Sequence, residues 1–493
     1  KKLARMLPLT LIVVFLLSTP VAALYEDRTY LYDAEEKSVH APAPYEVEAT
    51  YTGVDLEVEG FSNPSDLYVD SKQKIYIADS GNNRILIFDD NLKHLRTISE
   101  VMNGDSIEKL NAPGGVFVTG EGAVYICDTG NSRVIAVDEN NKIVRLLDNK
   151  GFISVNKNFE YQPSKAVVDD VGNVYVVDTA VYQGIIQYDN ADNFTGFFAP
   201  NAVPVTADVL FLKLWKSIFN SEQRANMEKV LPSPYKNIYI DKENFIYTSA
   251  VNVTEGNEIK RLNALGNNIL RSSGLGSEQS AFGDLEISYD AGKKVTSRIT
   301  DVHVSDSGII CAVDEARNRL FQYDQNGNLI SIFGGKGNGQ GNFLGIRAVD
   351  MIYDKYVVLD AVKENITIFK PTAYMNNVMQ ALEKYKQGLY LESVDQWNEV
   401  LKQNCNFRIA YRSIGRALLQ QGQSKEAMKM LKRGDDKYFY SMALKEYRKE
   451  FVRNNFLILM IAVIIAITVL IKLIALLHRK LLKQDSGFAV KGR

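Results

Sequence analysis

The sequence predicts a mainly β chain: a six-bladed β-propeller, then a small α-helical repeat segment and one transmembrane helix. Three observations predict it. A unit of about fifty residues recurs six times, each unit reads as strand–turn–strand, and the last unit stops one strand short.

The copies are plain when aligned. "PSDLYVDSKQKIYIADSGNNRILIFD" begins at Pro64, "PGGVFVTGEGAVYICDTGNSRVIAVD" at Pro113 and "PSKAVVDDVGNVYVVDTAVYQGIIQYD" at Pro163. Weaker copies start at Tyr235, Ile299 and Val349. Within each, apolar and β-branched runs alternate with Asp/Asn/Gly turns, and a further run such as "HLRTISE" supplies a fourth strand. One such sheet cannot bury both faces alone, so stacking around an axis is the natural solution. The final copy ends at its third strand, 366–369. "YEVEATY" (45–51) alternates well and lies just before the first copy. It is expected to complete the last blade and close a ring spanning 45–370.

The motifs "ADSGNNRI" (78–85), "CDTGNSRV" (127–134), "VDEARNRL" (313–320) and "FGGKGNGQGNF" (333–343) resemble those of NHL-repeat propellers. Copies three, four and six depart from the Asp-x-x-Asn-x-Arg pattern. Asp79, Asp128 and Asp314 are placed to cap turns, and Arg84, Arg133 and Arg319 to pair with an Asp at a blade junction. Some propellers of related type are gluconolactonase-like metal-dependent hydrolases, so the resemblance carries that activity as an alternative to binding.

Two insertions break the spacing. Residues 206–231 read as helical, with Phe211, Leu214, Trp215 and Ile218 on one face. They either cap a propeller face or present Phe211 and Trp215 to a partner. Residues 272–298 read as a polar loop. After Pro371 the period changes, and 373–443 reads as paired amphipathic helices. Gly388 and Gly422, and likewise Trp397 and Leu431, share a 34-residue offset, which resembles tetratricopeptide repeats. The segment serves either to dock a protein partner, with Trp397 a candidate contact, or as a stalk.

The ends set the expected location. Lys1, Lys2 and Arg5 precede a short apolar run (7–17) and small residues up to Ala23, which reads as a signal peptide over 1–23, cleaved or retained as an anchor. Residues 456–477 are apolar except for Lys472 and reach about 33 Å, enough for a hydrocarbon core of about 30 Å. The tail, 478–493, is basic and is expected in the cytoplasm, leaving the bulk of a single-pass cell-membrane protein outside it. Signal, propeller, helical repeats and anchor in this order resemble bacterial membrane proteins found beside sugar importers, implying a transporter or envelope complex as partner.

The chain carries a net charge of −2 and no long basic run outside the tail, so nothing points to nucleic acid. Its three cysteines lack metal spacing and are expected to be buried thiols, Cys127 and Cys311 in strand-like runs and Cys405 between predicted helices. Four histidines, with His40 and His478 outside the repeats, argue against a multi-His zinc centre. Repeat alignment sets Asp66, Asn237 and Asp301 at one inner-strand position, with Gly115 and Lys165, and Asp350 is expected to join them. These residues would ring a channel mouth, either as a site for Ca²⁺, a carbohydrate or a peptide, or as a solvated rim. No catalytic residues and no resident cofactor are assigned.

Overall fold

The computed structural model describes residues 29–148, 160–202, 231–251, 253, 256–270, 282–285, 288–290 and 293–488. The expected signal peptide and residues 206–230, with Phe211 and Trp215, lie outside them. The chain divides into two compact units. One runs through Glu383 and includes Glu399–Asn406, and the other comprises Lys384–Asn398 and Phe407 onward.

The first unit is a six-bladed propeller. Blade 1 has strands Asp66–Val69, Ile75–Asp79, Arg84–Phe88 and His94–Ile98, each antiparallel to the last. Blades 2, 3 and 5 repeat this order from inner strands Gly115–Val118, Pro163–Val168 and Ile299–Val304. Blade 4 shows three strands among the described residues, starting with Tyr235–Ile240. Blade 6 closes as expected. Tyr45–Thr52 pairs with Asn365–Pro371, matching Thr52 to Asn365 and Tyr45 to Pro371. The two chain ends of the domain therefore share one sheet, and opening the ring requires breaking that ladder.

Burial explains the strand pattern. The second strands of blades 1 to 5 are buried along their whole length, because both sheet faces meet neighbouring blades. Each buried Ile, Leu or Val contributes about 1.5–3 kcal/mol relative to exposure. Cys127 and Cys311 are buried free thiols within these strands, as expected, whereas Cys405, also expected to be buried, is exposed.

One element was not legible in the repeats. A hairpin of Tyr30–Tyr32 and Ser38–His40 precedes the ring, and its Tyr30 and Tyr32 hydroxyls donate to Asp284 at 2.8 and 2.6 Å. Arg319 also pairs with Asp284, at 3.0 Å. The blade 5 arginine thus meets a carboxylate from the insertion rather than the strand-end Asp314.

Six helices follow: α1 (Ala373–Lys386), α2 (Tyr390–Gln403), α3 (Arg408–Gln420), α4 (Ser424–Arg433), α5 (Lys437–Asn454) and α6 (Phe456–Phe488). Gly388 and Gly422 both take left-handed backbone, φ 80° and 75°, in the turns before α2 and α4. Each turn has the same bonds: Gly388 N–H to Tyr385 and Leu389 N–H to Lys384, Gly422 N–H to Leu419 and Gln423 N–H to Leu418. Within the second unit, Trp397 is fully buried and stacks on Phe407, with ring centroids 6.0 Å apart. Its indole is core, not an exposed contact surface. α6 is long and apolar enough over Phe456–Arg479 to cross a membrane, and none of that stretch is buried.

Candidate functional site

The inner strands fix two layers of side chains around the channel. In the first layer, Asp66, Gly115, Lys165, Asn237, Asp301 and Ala348 each lie opposite the residue preceding the end of the second strand. Asp350 is therefore not in this layer. It stands two residues further along, level with Tyr68, Phe117, Val167, Tyr239 and His303. The weak similarity of copy six concealed the offset, and the strand register reveals it.

Six polar members of the two layers follow one rule: each bonds to the next blade, at the residue following its own counterpart there. Asp66 accepts from Val116 N–H at 2.9 Å, Asp301 from Val349 N–H at 2.8 Å and Asp350 from Val69 N–H at 2.7 Å. Asn237 Nδ2 donates to the Val302 carbonyl, the Tyr68 hydroxyl to Val118 and the Tyr239 hydroxyl to Val304. Hydrogen bonds to a charged acceptor contribute about 1.5–3 kcal/mol each. These residues join blades.

Lys165 completes the first layer. Its ammonium reaches from blade 3 to bond Asp66 Oδ1 in blade 1 and sits 3.3 Å from Asp301 Oδ1 in blade 5. Both carboxylates are almost wholly buried, whereas the Lys165 side chain keeps 19% exposure. Burial pushes the Asp66 carboxyl up to about 6, with Lys165 pulling it down and Asp301 adding to the rise. The same two aspartates hold the Lys165 ammonium charged well above its usual range, against the effect of burial.

The second layer is largely aromatic. Tyr68 packs on Phe117 at 5.1 Å and Tyr239 on His303 at 5.1 Å. His303 Nδ1 lies 2.8 Å from Asp350 Oδ1, with both residues buried. Burial raises the Tyr68 and Tyr239 phenols far above their normal range, with Asp350 adding to each.

The four residues expected at a channel mouth are all buried, at 0–5% exposure. Asp66 and Asp301 are brought together, through Lys165. Asn237 shares their layer, and Asp350 pairs with His303 one layer on. Sequence reading placed Lys165 in the layer without assigning it a part, and it left His303 unplaced. The signal for Lys165 was its position opposite two carboxylates in an otherwise aligned column. Among the described residues no group of three or more His, Cys, Asp or Glu side chains could hold a metal ion. The ammonium instead occupies the place between the two carboxylates where a cation would bind.

Comparison with known proteins bears on the first blade directly: the NHL repeat family model matches residues 61–88. No curated protein matches the chain. Among solved structures, it is similar to virginiamycin B lyase from Staphylococcus aureus (TM-score 0.40, 10% identity, covering 66% of this chain and 100% of that one). It is also similar to a gluconolactonase from Xanthomonas campestris (0.39, 8%, 68% and 97%). A third is a Bacteroides thetaiotaomicron protein of unknown function (0.42, 10%, 67% and 72%). Likenesses of this size carry no argument about function.

Proposed function

We propose that the protein is a membrane-anchored binding and scaffold protein whose propeller and helices lie outside the cytoplasm and recognise a ligand or protein partner. The observation that carries this reading is the use made of the channel's polar groups. Asp66, Asn237, Asp301 and Asp350 each hold a neighbouring blade, so the inner layers serve as framework and recognition falls to more exposed surfaces. The matched turns at Gly388 and Gly422 support a tetratricopeptide-like docking segment. The apolar α6 supports a single-pass anchor, and the basic residues beyond it favour a cytoplasmic tail. A sugar importer or another envelope complex fits this layout as partner.

The test is to purify the full-length protein from its own membranes in mild detergent after cross-linking. A near-stoichiometric membrane complex, cross-linked through 206–231 or 373–443, is the expected result. Recovery of the chain alone, under conditions that preserve known complexes, overturns the scaffold reading.

A second reading, a gluconolactonase-like metal-dependent hydrolase, draws on the convergence of Asp66 and Asp301. A metal there would have to displace the Lys165 ammonium. Adding Ca²⁺, Mn²⁺ or Zn²⁺ to the metal-stripped protein should then raise its melting temperature, and no shift with any of them removes this reading.

A further inference from the structure

We infer that the last three turns of α5, residues 444–454, lie along the membrane surface and bind anionic lipid head groups, an inference that rests on the membrane-anchored reading above. α5 leads straight into the apolar helix, so its end is the part of the chain next to the bilayer. Its surface is built for an interface. Leu444, Tyr447 and Phe451 recur at i, i+3 and i+7 on one face, the first two half-buried and Phe451 48% exposed, and Val452, 49% exposed, lies between Arg448 and Lys445 on the adjoining flank.

Charge is sorted around that stripe. Arg448, Lys445, Lys449 and Arg453 follow one another around one flank, and Glu446 and Glu450 lie beyond them. Four bases against two acids leave the segment with an excess of two positive charges. All six are exposed. Glu446 pairs with Lys449 at 2.7 Å, an exposed contact of little energetic weight. An apolar stripe beside a basic flank is the arrangement of a helix lying in the head-group layer, where the bases are attracted to anionic lipid.

The backbone permits that orientation. At Asn455 it leaves helical geometry, φ −113° and ψ 18°, and the Asn455 side chain donates to the Phe451 carbonyl at 2.9 Å. α6 begins at the next residue. Were α5 upright, Lys445 would stand about 16 Å above Phe456. Each head-group layer is only about 5–8 Å thick. A bend at Asn455 brings the whole basic flank down to the phosphates while α6 still spans.

The test uses the full chain in nanodiscs of zwitterionic lipid alone or with about a third phosphatidylglycerol. In a Cys405→Ser background, which leaves only the buried Cys127 and Cys311, an environment-sensitive fluorophore is placed at Val452→Cys, Ser441→Cys or Val463→Cys. Brominated lipid then reports depth. The expected result is quenching at 452 about threefold above that at 441, stronger in the anionic discs. The combined K445E, K449E and R453E change should return position 452 to the level of 441. Quenching at 463 without quenching at 452 overturns the inference and leaves the anchor standing. No quenching at 463 overturns the anchor and this inference with it. Quenching at 452 that ignores both lipid charge and charge reversal overturns the anionic preference.

Discussion

Blades 1 and 3 hold the same carboxylate in the same place with different partners. In blade 1, Asp79 Oδ1 accepts from Ser62 N–H at 2.7 Å, and Oδ2 takes Arg84 Nε at 2.7 Å and Asn82 Nδ2 at 2.8 Å. Asp128 in blade 2 repeats the set with Asn111 N–H, Arg133 and Asn131. In blade 3, Asp178 meets no arginine among the described residues. It accepts from Gln162 N–H at 2.6 Å and Ala180 N–H at 2.7 Å, and burial pushes its carboxyl up to about 6. The difference teaches what the motif is for. The aspartate captures the backbone of the segment that leads into the blade, and the arginine neutralises the charge this requires. The copy that lacks the arginine keeps its fold.

The largest effect should come from removing the aspartate where the arginine remains. Asp79→Ala takes the buried carboxylate from the Ser62 N–H and from the mostly buried Arg84 guanidinium, which keeps only the exposed Glu59 and two carbonyls, and should cost about 3–5 kcal/mol. Asp178→Ala strands two backbone N–H groups but also removes a buried charge with no cation beside it among the described residues, and should cost about 1–3 kcal/mol. Denaturant midpoints of the two variants, compared with the parent in the same detergent, give the ranking. Equal losses would break the comparison, because the guanidinium would then not be what separates the blades.

The ring was legible because its repeat is long and its strands are bounded by turns. Pro64, Pro113 and Pro163 mark the copies, and the missing last strand pointed to 45–51, which pairs as expected. The layers inside the channel were legible only in part. Asp66, Asn237 and Asp301 share a register, but Asp350 does not, since one strand displaced by two residues keeps its apolar alternation. The pairing of Arg319 with Asp284 was not readable, because it joins a repeat strand to a carboxylate in the insertion, which lies outside the repeat. Trp397 looked like a surface anchor from its position in a helix. A buried helix face and a docking face share one periodicity, and only packing tells them apart.

A middle-sized effect sharpens the account of how blades meet. Gly115 occupies the first-layer position beside Asp66, and a Cβ there would come 2.3 Å from the Ser164 carbonyl and 3.1 Å from Asp66 Oδ2. Gly115→Ala should therefore push blades 2 and 3 apart and disturb the Asp66–Val116 bond, at about 1–3 kcal/mol. Gly120 has open space around its Cβ position, and Gly120→Ala should change stability by less than about 0.5 kcal/mol. Thermal melts of the pair test whether the close approach of inner strands, rather than glycine content, governs the ring.

The smallest effect is a pH dependence carried by Asp66 and Asp178. Asp66 and Asp178 both have folded-state values of about 6, above the 3.8 of an unperturbed aspartate. The folded protein therefore holds protons on these groups between pH 6 and 4 that the unfolded chain releases. Their contribution to stability is fully present below about 3.8 and is lost as pH rises through 6. Between pH 7.5 and 5 it should grow as pH falls, by about 1 kcal/mol per group. Asp178→Asn should flatten that part of the curve, since an amide keeps an acceptor for a backbone bond and has no proton to bind. The measurement is the difference in melting temperature between parent and variant at pH 7.5 and at pH 5. A variant advantage at pH 7.5 that shrinks by pH 5 supports the assignment. A constant difference would place the charge cost of the arginine-free blade elsewhere.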